Sequence, residues 1–102
     1  MSTHILSNSM DYSNDLLDSI KDLSSNLTPP AEISALLDID EKQFVDDLNT
    51  PGNPARRSFL KGYAETALKL RKQNLELVDA GSPAADEACR GYLKRMVRDI
   101  DL

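Results

Sequence analysis

The sequence predicts an all-α chain, with a small helix-turn-helix unit followed by a long antiparallel helical hairpin. Three observations predict it. Leu and Ala dominate the apolar residues, Trp is absent and aromatics make up only 5%, a composition that favours helices. Apolar residues recur at three- and four-residue spacing along most of the chain. Turn-forming residues gather near 28–30, 49–54 and 81–83 and cut the pattern into helix-length pieces.

Residues 1–10, MSTHILSNSM, are polar and unpatterned and read as a flexible tail. From Asp11, the residues Tyr12, Leu16, Ile20, Leu23 and Leu27 recur at helical spacing, with Leu17 beside them. A second helix is expected after Thr28 as cap and Pro29 in the first turn, where no amide bond is lost. Ile33, Leu36 and Leu37 fall on its inner face. Asp38-Ile39-Asp40 is the turn. Asp40 and Gln43 then have the spacing of a capping box, and Ile39 and Phe44 that of a hydrophobic staple, so a third helix starts at once. Two short helices joined by so tight a turn have the form of a helix-turn-helix, within a three-helix unit over 11–50.

Asn49-Thr50-Pro51-Gly52-Asn53-Pro54 is the densest turn signal, and residues 53–102 are expected to form a separate hairpin for oligomerisation. Asn53 caps a helix with Pro54 in its first position. Nothing stops that helix before Gly81, and Phe59, Leu60, Tyr63, Ala67, Leu70, Leu75 and Val78 form its apolar stripe. Gly62 inside it permits a close helix approach or a bend. Ser82 and Pro83 open the last helix, with Ala85, Cys89, Tyr92, Met96 and Ile100 on one side. Ala88, Leu93 and Val97 widen that stripe beyond what one partner helix covers.

The net charge of -5 conceals an asymmetry. Residues 1–52 carry two basic and ten acidic side chains, a net of -8; residues 53–102 carry ten and seven, a net of +3. The third helix itself holds Glu41, Asp46 and Asp47 against a lone Lys42. Direct base readout uses Arg, Lys, Asn and Gln, and attraction to phosphate needs positive charge. Only Lys42, Gln43 and Asn49 meet that need at this helix. A stronger basic cluster, Arg56, Arg57 and Lys61, stands just beyond the turn, with Lys69, Arg71 and Lys72 further along. Arg90, Lys94, Arg95 and Arg98 form another near the end of the last helix, where the helix dipole alone accounts for them. A basic stripe can equally be a solvated face, or can pair with Asp46, Asp47 or the first helix.

The order of elements resembles the small-terminase-like proteins of tailed phages and prophages. The resemblance spans about Leu27 to Met96. It rests on Phe59, Gly62, Ala64 and Glu65 in FLKGYAETALKLRKQNLEL, and on Ala80, Gly81, Ser82, Pro83 and Ala85 at the hairpin before AADEACRGYLKRM. It implies a DNA-recognition or adaptor subunit that acts in bacteriophage genome packaging as a homo-oligomer. Such a subunit holds double-stranded DNA and passes it to a separate large ATPase–nuclease subunit. Where many helix-turn-helix units have Gly in the turn and Ala in the first helix, this chain has Asp38 and Ser34. Asp tolerates the left-handed conformation the turn needs.

These readings place DNA on Arg56, Arg57 and Lys61, with Lys42 and Gln43 from the third helix. They place self-association on Leu70, Leu75, Tyr92, Leu93, Met96 and Val97. Two alternatives have the same elements: a helix-turn-helix transcriptional regulator and a DNA-free helical protein-interaction adaptor. No catalysis is expected, since there is no Walker-type phosphate loop and no nucleophile–base pair. Neither cofactor nor metal is expected: His4 is alone, Cys89 reads as a small core residue, and Asp15, Asp18 and Asp22 lack the Gly turn of a calcium loop. With one cysteine, no signal-peptide pattern and no span of roughly 20 apolar residues, the chain is expected to be soluble and cytoplasmic, in the host cytoplasm if viral.

Overall fold

The computed structural model describes residues 10–100. The expected tail, His4 included, lies almost wholly outside them. Five helices follow in order: α1 (Asn14–Ser25), α2 (Pro30–Leu36), α3 (Glu41–Leu48), α4 (Pro54–Asp79) and α5 (Pro83–Met96). Among the described residues there is no strand, and no helix is long and apolar enough to cross a membrane.

The chain forms two compact units, one through Thr66 and one from Ala67. The sequence puts the division at the 49–54 turn. The structure puts it inside α4, because residues 54–66 of that helix belong with α1, α2 and α3.

The first unit closes on Ile20, Ile33, Ile39, Phe44 and Ala55, with Tyr12, Leu16, Leu17, Leu23, Leu37, Leu48 and Phe59 packed around them. Ile39 and Phe44 are both buried, as a staple requires. Asp40 accepts a hydrogen bond from the Gln43 amide at 3.0 Å. The Gln43 side chain does not complete the capping box; it donates to Asp47 instead. Ser34 is buried, and its hydroxyl donates back to the Ala31 carbonyl at 2.8 Å.

Some boundaries shift for local reasons. Tyr12 lies ahead of α1 because Ser13 caps it, accepting from the Leu16 amide. Thr28 does not cap α2. Its amide donates to the Leu23 carbonyl, and the Leu27 amide donates to that of Ser24, so α1 ends in a Schellman motif with Leu27 at φ 64. Leu27 therefore faces solvent rather than extending the apolar stripe. Pro29 takes the cap position of α2 and Pro30 the first helical one. Leu36 is exposed too, leaving Ile33 and Leu37 to face inward. The end of α2 repeats the α1 motif: the Ile39 amide donates to the Ser34 carbonyl, and Asp38 takes φ 55.

Helix α4 begins as expected, with Asn53 accepting from the Ala55 amide at 2.8 Å. Gly62 marks a close approach, not a bend. It is buried against Lys21 and Ser24 of α1. The Ser24 hydroxyl lies 2.9 Å from the Phe59 carbonyl and 3.0 Å from that of Lys21, so one hydrogen serves two acceptors. Thr66 donates to the Ser25 carbonyl, and Lys21 and Glu65 form an ion pair at 3.8 Å.

In the second unit, α4 ends in the same motif, here with Gly81 in the left-handed position and the Ser82 amide donating to Leu77. Ser82 then caps α5 by accepting from the Ala85 amide at 3.2 Å. Tyr92 reaches back to α4, where its hydroxyl accepts from the Asn74 side chain at 2.9 Å. Ala85 is the buried residue of α5, and Cys89 is half-buried.

Candidate functional site

The polar candidates on α3 are largely spent on their own helix. Lys42 pairs with Asp46 at 3.1 Å, one turn on, and Gln43 donates to Asp47 at 3.0 Å. Both bonds follow from i, i+4 spacing. They leave Glu41, Asp46 and Val45 on the outer face beside Lys42, bordering an open hollow of about 430 Å³. This surface carries a net negative charge, which disfavours contact with phosphates.

Asp47 is the notable carboxylate. It is only 2% exposed and has no cationic partner among the described residues. Tyr12 donates its hydroxyl to Asp47 Oδ2 at 2.6 Å, and Gln43 holds Oδ1. Burial, the hydrogen bond and the negative charge of Asp47 all raise the Tyr12 pKa. The phenol thus stays protonated and able to donate. A raised folded-state pKa means the contribution to stability is complete below a free tyrosine's value of about 10 and is lost as pH climbs above it. Tyr12→Phe is expected to cost about 1.5–3 kcal/mol, the range for a hydrogen bond to a charged group. It should also flatten the alkaline limb of stability above about pH 10, read by urea unfolding from pH 7 to 11.

The basic candidates separate. Arg56 is half-buried, and its guanidinium donates to the Leu48 carbonyl at 2.6 Å, closing the C-terminal end of α3. This is a structural use, and it supplements the dipole there. Arg57 and Lys61, one turn apart on α4, are exposed. The stripe does not pair with Asp46 or Asp47, which are engaged by Lys42, Tyr12 and Gln43.

The self-association candidates also separate. Leu70, Leu75, Leu93, Met96 and Val97 are exposed, Met96 at 71% and Leu93 at 61%. Leu68, Leu77 and Ile100, which the sequence pattern does not single out for this role, are open as well. Tyr92 is half-buried and turned toward α4, so it belongs to the interior of the second unit. Arg71 and Arg95 each lie 5.4 Å from the centre of its ring. The Tyr92–Arg95 spacing of one helical turn is visible in the sequence. The approach of Arg71 brings a residue of α4 to one of α5, which no local pattern gives.

Among the described residues, no three His, Cys, Asp or Glu side chains gather where they could hold a metal ion. Comparison with protein-family models, curated proteins and solved structures gives no match.

Proposed function

We propose that the chain is a non-catalytic subunit of the phage small-terminase kind. In this reading it self-associates, holds double-stranded DNA during viral genome packaging and presents it to a large ATPase–nuclease subunit. The observation that carries the reading is the open apolar surface of the second unit. That unit has fewer than about 40 residues, a size at which a core needs disulfides, metals or oligomerisation. Its lone cysteine has no disulfide partner. Burial between copies would cover that surface, at roughly 25 cal/mol per Å² of apolar area. Closed symmetry is its usual outcome.

Light scattering at tens of micromolar is expected to give a multiple of 11.3 kDa. Leu93→Asp with Met96→Asp should return the mass to that of one chain, with helix content kept. A wild-type chain that stays monomeric would sink the proposal. DNA contact is assigned to Arg57 and Lys61, repeated around the oligomer so that weak patches act together.

A second reading, a DNA-free adaptor, is favoured by one observation: Lys42, Gln43 and Arg56 are each held by bonds within the chain. Failure of the wild-type oligomer to retain a duplex even at low salt would select it.

A further inference from the structure

The second unit has a pronounced internal charge pattern. Residues 67–75 carry three basic and no acidic side chains, and residues 88–98 carry four and none. Of the acidic side chains, Glu76, Asp79, Asp86 and Glu87 lie nearer the turn in sequence and Asp99 and Asp101 follow the basic run; Asp86 is paired with Arg90 at 2.9 Å and Asp99 with Arg98 at 3.7 Å. Within the basic part, Arg71 from α4 and Arg95 from α5 lie against one aromatic ring. Neither pairs with a carboxylate among the described residues. With Met96 they line an open hollow of about 400 Å³.

Helix-dipole compensation accounts for Arg95, in the last turn of α5. It does not account for Arg71, which is well inside α4. Stacking on Tyr92 offsets part of the repulsion between the two guanidiniums, because the ring face attracts cations. Stacking also orients them, leaving their N–H groups for an anion. Guanidinium is the group best matched to phosphate oxygens, which it can grip with two parallel bonds. The basic side chains extend along both helices, as suits a linear polyanion better than a single carboxylate.

We propose that Arg71, Arg95 and Tyr92 form a phosphate-binding site for the phosphodiester backbone of double-stranded DNA. The site is separate from Arg57 and Lys61, and its assignment to DNA rests on the DNA-holding reading above. It would contribute affinity and position, not sequence choice, as phosphate contacts do.

The test uses the full chain in its native assembly, a 20-base-pair duplex and, separately, inorganic phosphate at matched ionic strength. The duplex should shift the NMR signals of the Arg71 and Arg95 side chains and the Tyr92 ring. Arg71→Gln with Arg95→Gln should weaken duplex retention at least tenfold. It should also make the salt dependence shallower by about 0.9 for each phosphate that is no longer neutralised, with oligomeric mass unchanged. Helix content and melting temperature of the double variant should match those of the wild type, which separates loss of the site from loss of the fold. Wild-type affinity in the double variant overturns the site while leaving the DNA-holding reading intact. A wild-type chain that binds no duplex overturns both. A fall in mass assigns the arginines to a contact between copies. Equal shifts with inorganic phosphate assign them to a small anion. Either result overturns the proposal.

Discussion

Phe44→Ala is expected to remove about 3–5 kcal/mol of stability, the usual cost of truncating a buried phenylalanine. The side chain is fully buried and packs in the cluster with Ile20, Ile33, Ile39 and Ala55, so all four helices of the first unit meet around it. Chains of this size are stable by roughly 5–15 kcal/mol in total, and the cluster serves only one of two units. The variant should therefore lose a large part of that unit's stability. Urea unfolding followed by circular dichroism measures the loss. A change below about 1 kcal/mol would mean that the cluster is not the centre of that unit's stability.

Gly62→Ala should act through the opposite fault, too much volume. On an open helix face, replacing Gly by Ala stabilises by up to about 1 kcal/mol. Here the added methyl would fall well inside contact distance of the Ser24 hydroxyl and the Lys21 carbonyl. The hydroxyl can rotate, but the carbonyl is backbone of α1 and moves only if the helix does. Overpacking of this kind costs about 1–3 kcal/mol or more. It would also disturb the Ser24–Phe59 and Thr66–Ser25 hydrogen bonds beside it. Gly91 in α5 is the internal control. A methyl there meets nothing within 4 Å, so the same substitution should stabilise. Opposite shifts in melting temperature for the two variants are the expected result; a shared sign would refute this account of Gly62.

Periodicity and capping chemistry were enough to read the all-helical class, the start of α3 at Asp40 and the starts of α4 and α5 after Asn53 and Ser82. These are local properties, set within one or two turns. What spacing could not give was the partner of each face. Phe59 and Tyr63 lie on one stripe in sequence, yet Phe59 packs on the first unit's core and Tyr63 remains exposed. The 49–54 turn looked like a domain boundary because Pro and Gly mark a reversal of direction. They do not say whether the helix beyond stays with what came before. Among the site residues, Lys42 and Gln43 are one turn from carboxylates, so their engagement was legible in principle. Arg56 was not: its partner is the Leu48 carbonyl, and a backbone acceptor leaves no trace in side-chain spacing.

Leu27 and Asp38, the two residues held at positive φ where α1 and α2 end, bear on how the chain can change. For Leu27 that conformation carries a penalty of roughly 1–2 kcal/mol that glycine avoids, and Asp38 bears less of it because a short polar side chain tolerates the left-handed region. Glycine's greater freedom in the unfolded chain cancels only part of the difference. The sequence is thus short of its own optimum at two solvent-facing sites that do not contribute to the buried core cluster. Such positions give a lineage tolerance: exposed leucines or clustered arginines elsewhere can be gained at some expense in stability and compensated at these helix ends, leaving the core untouched.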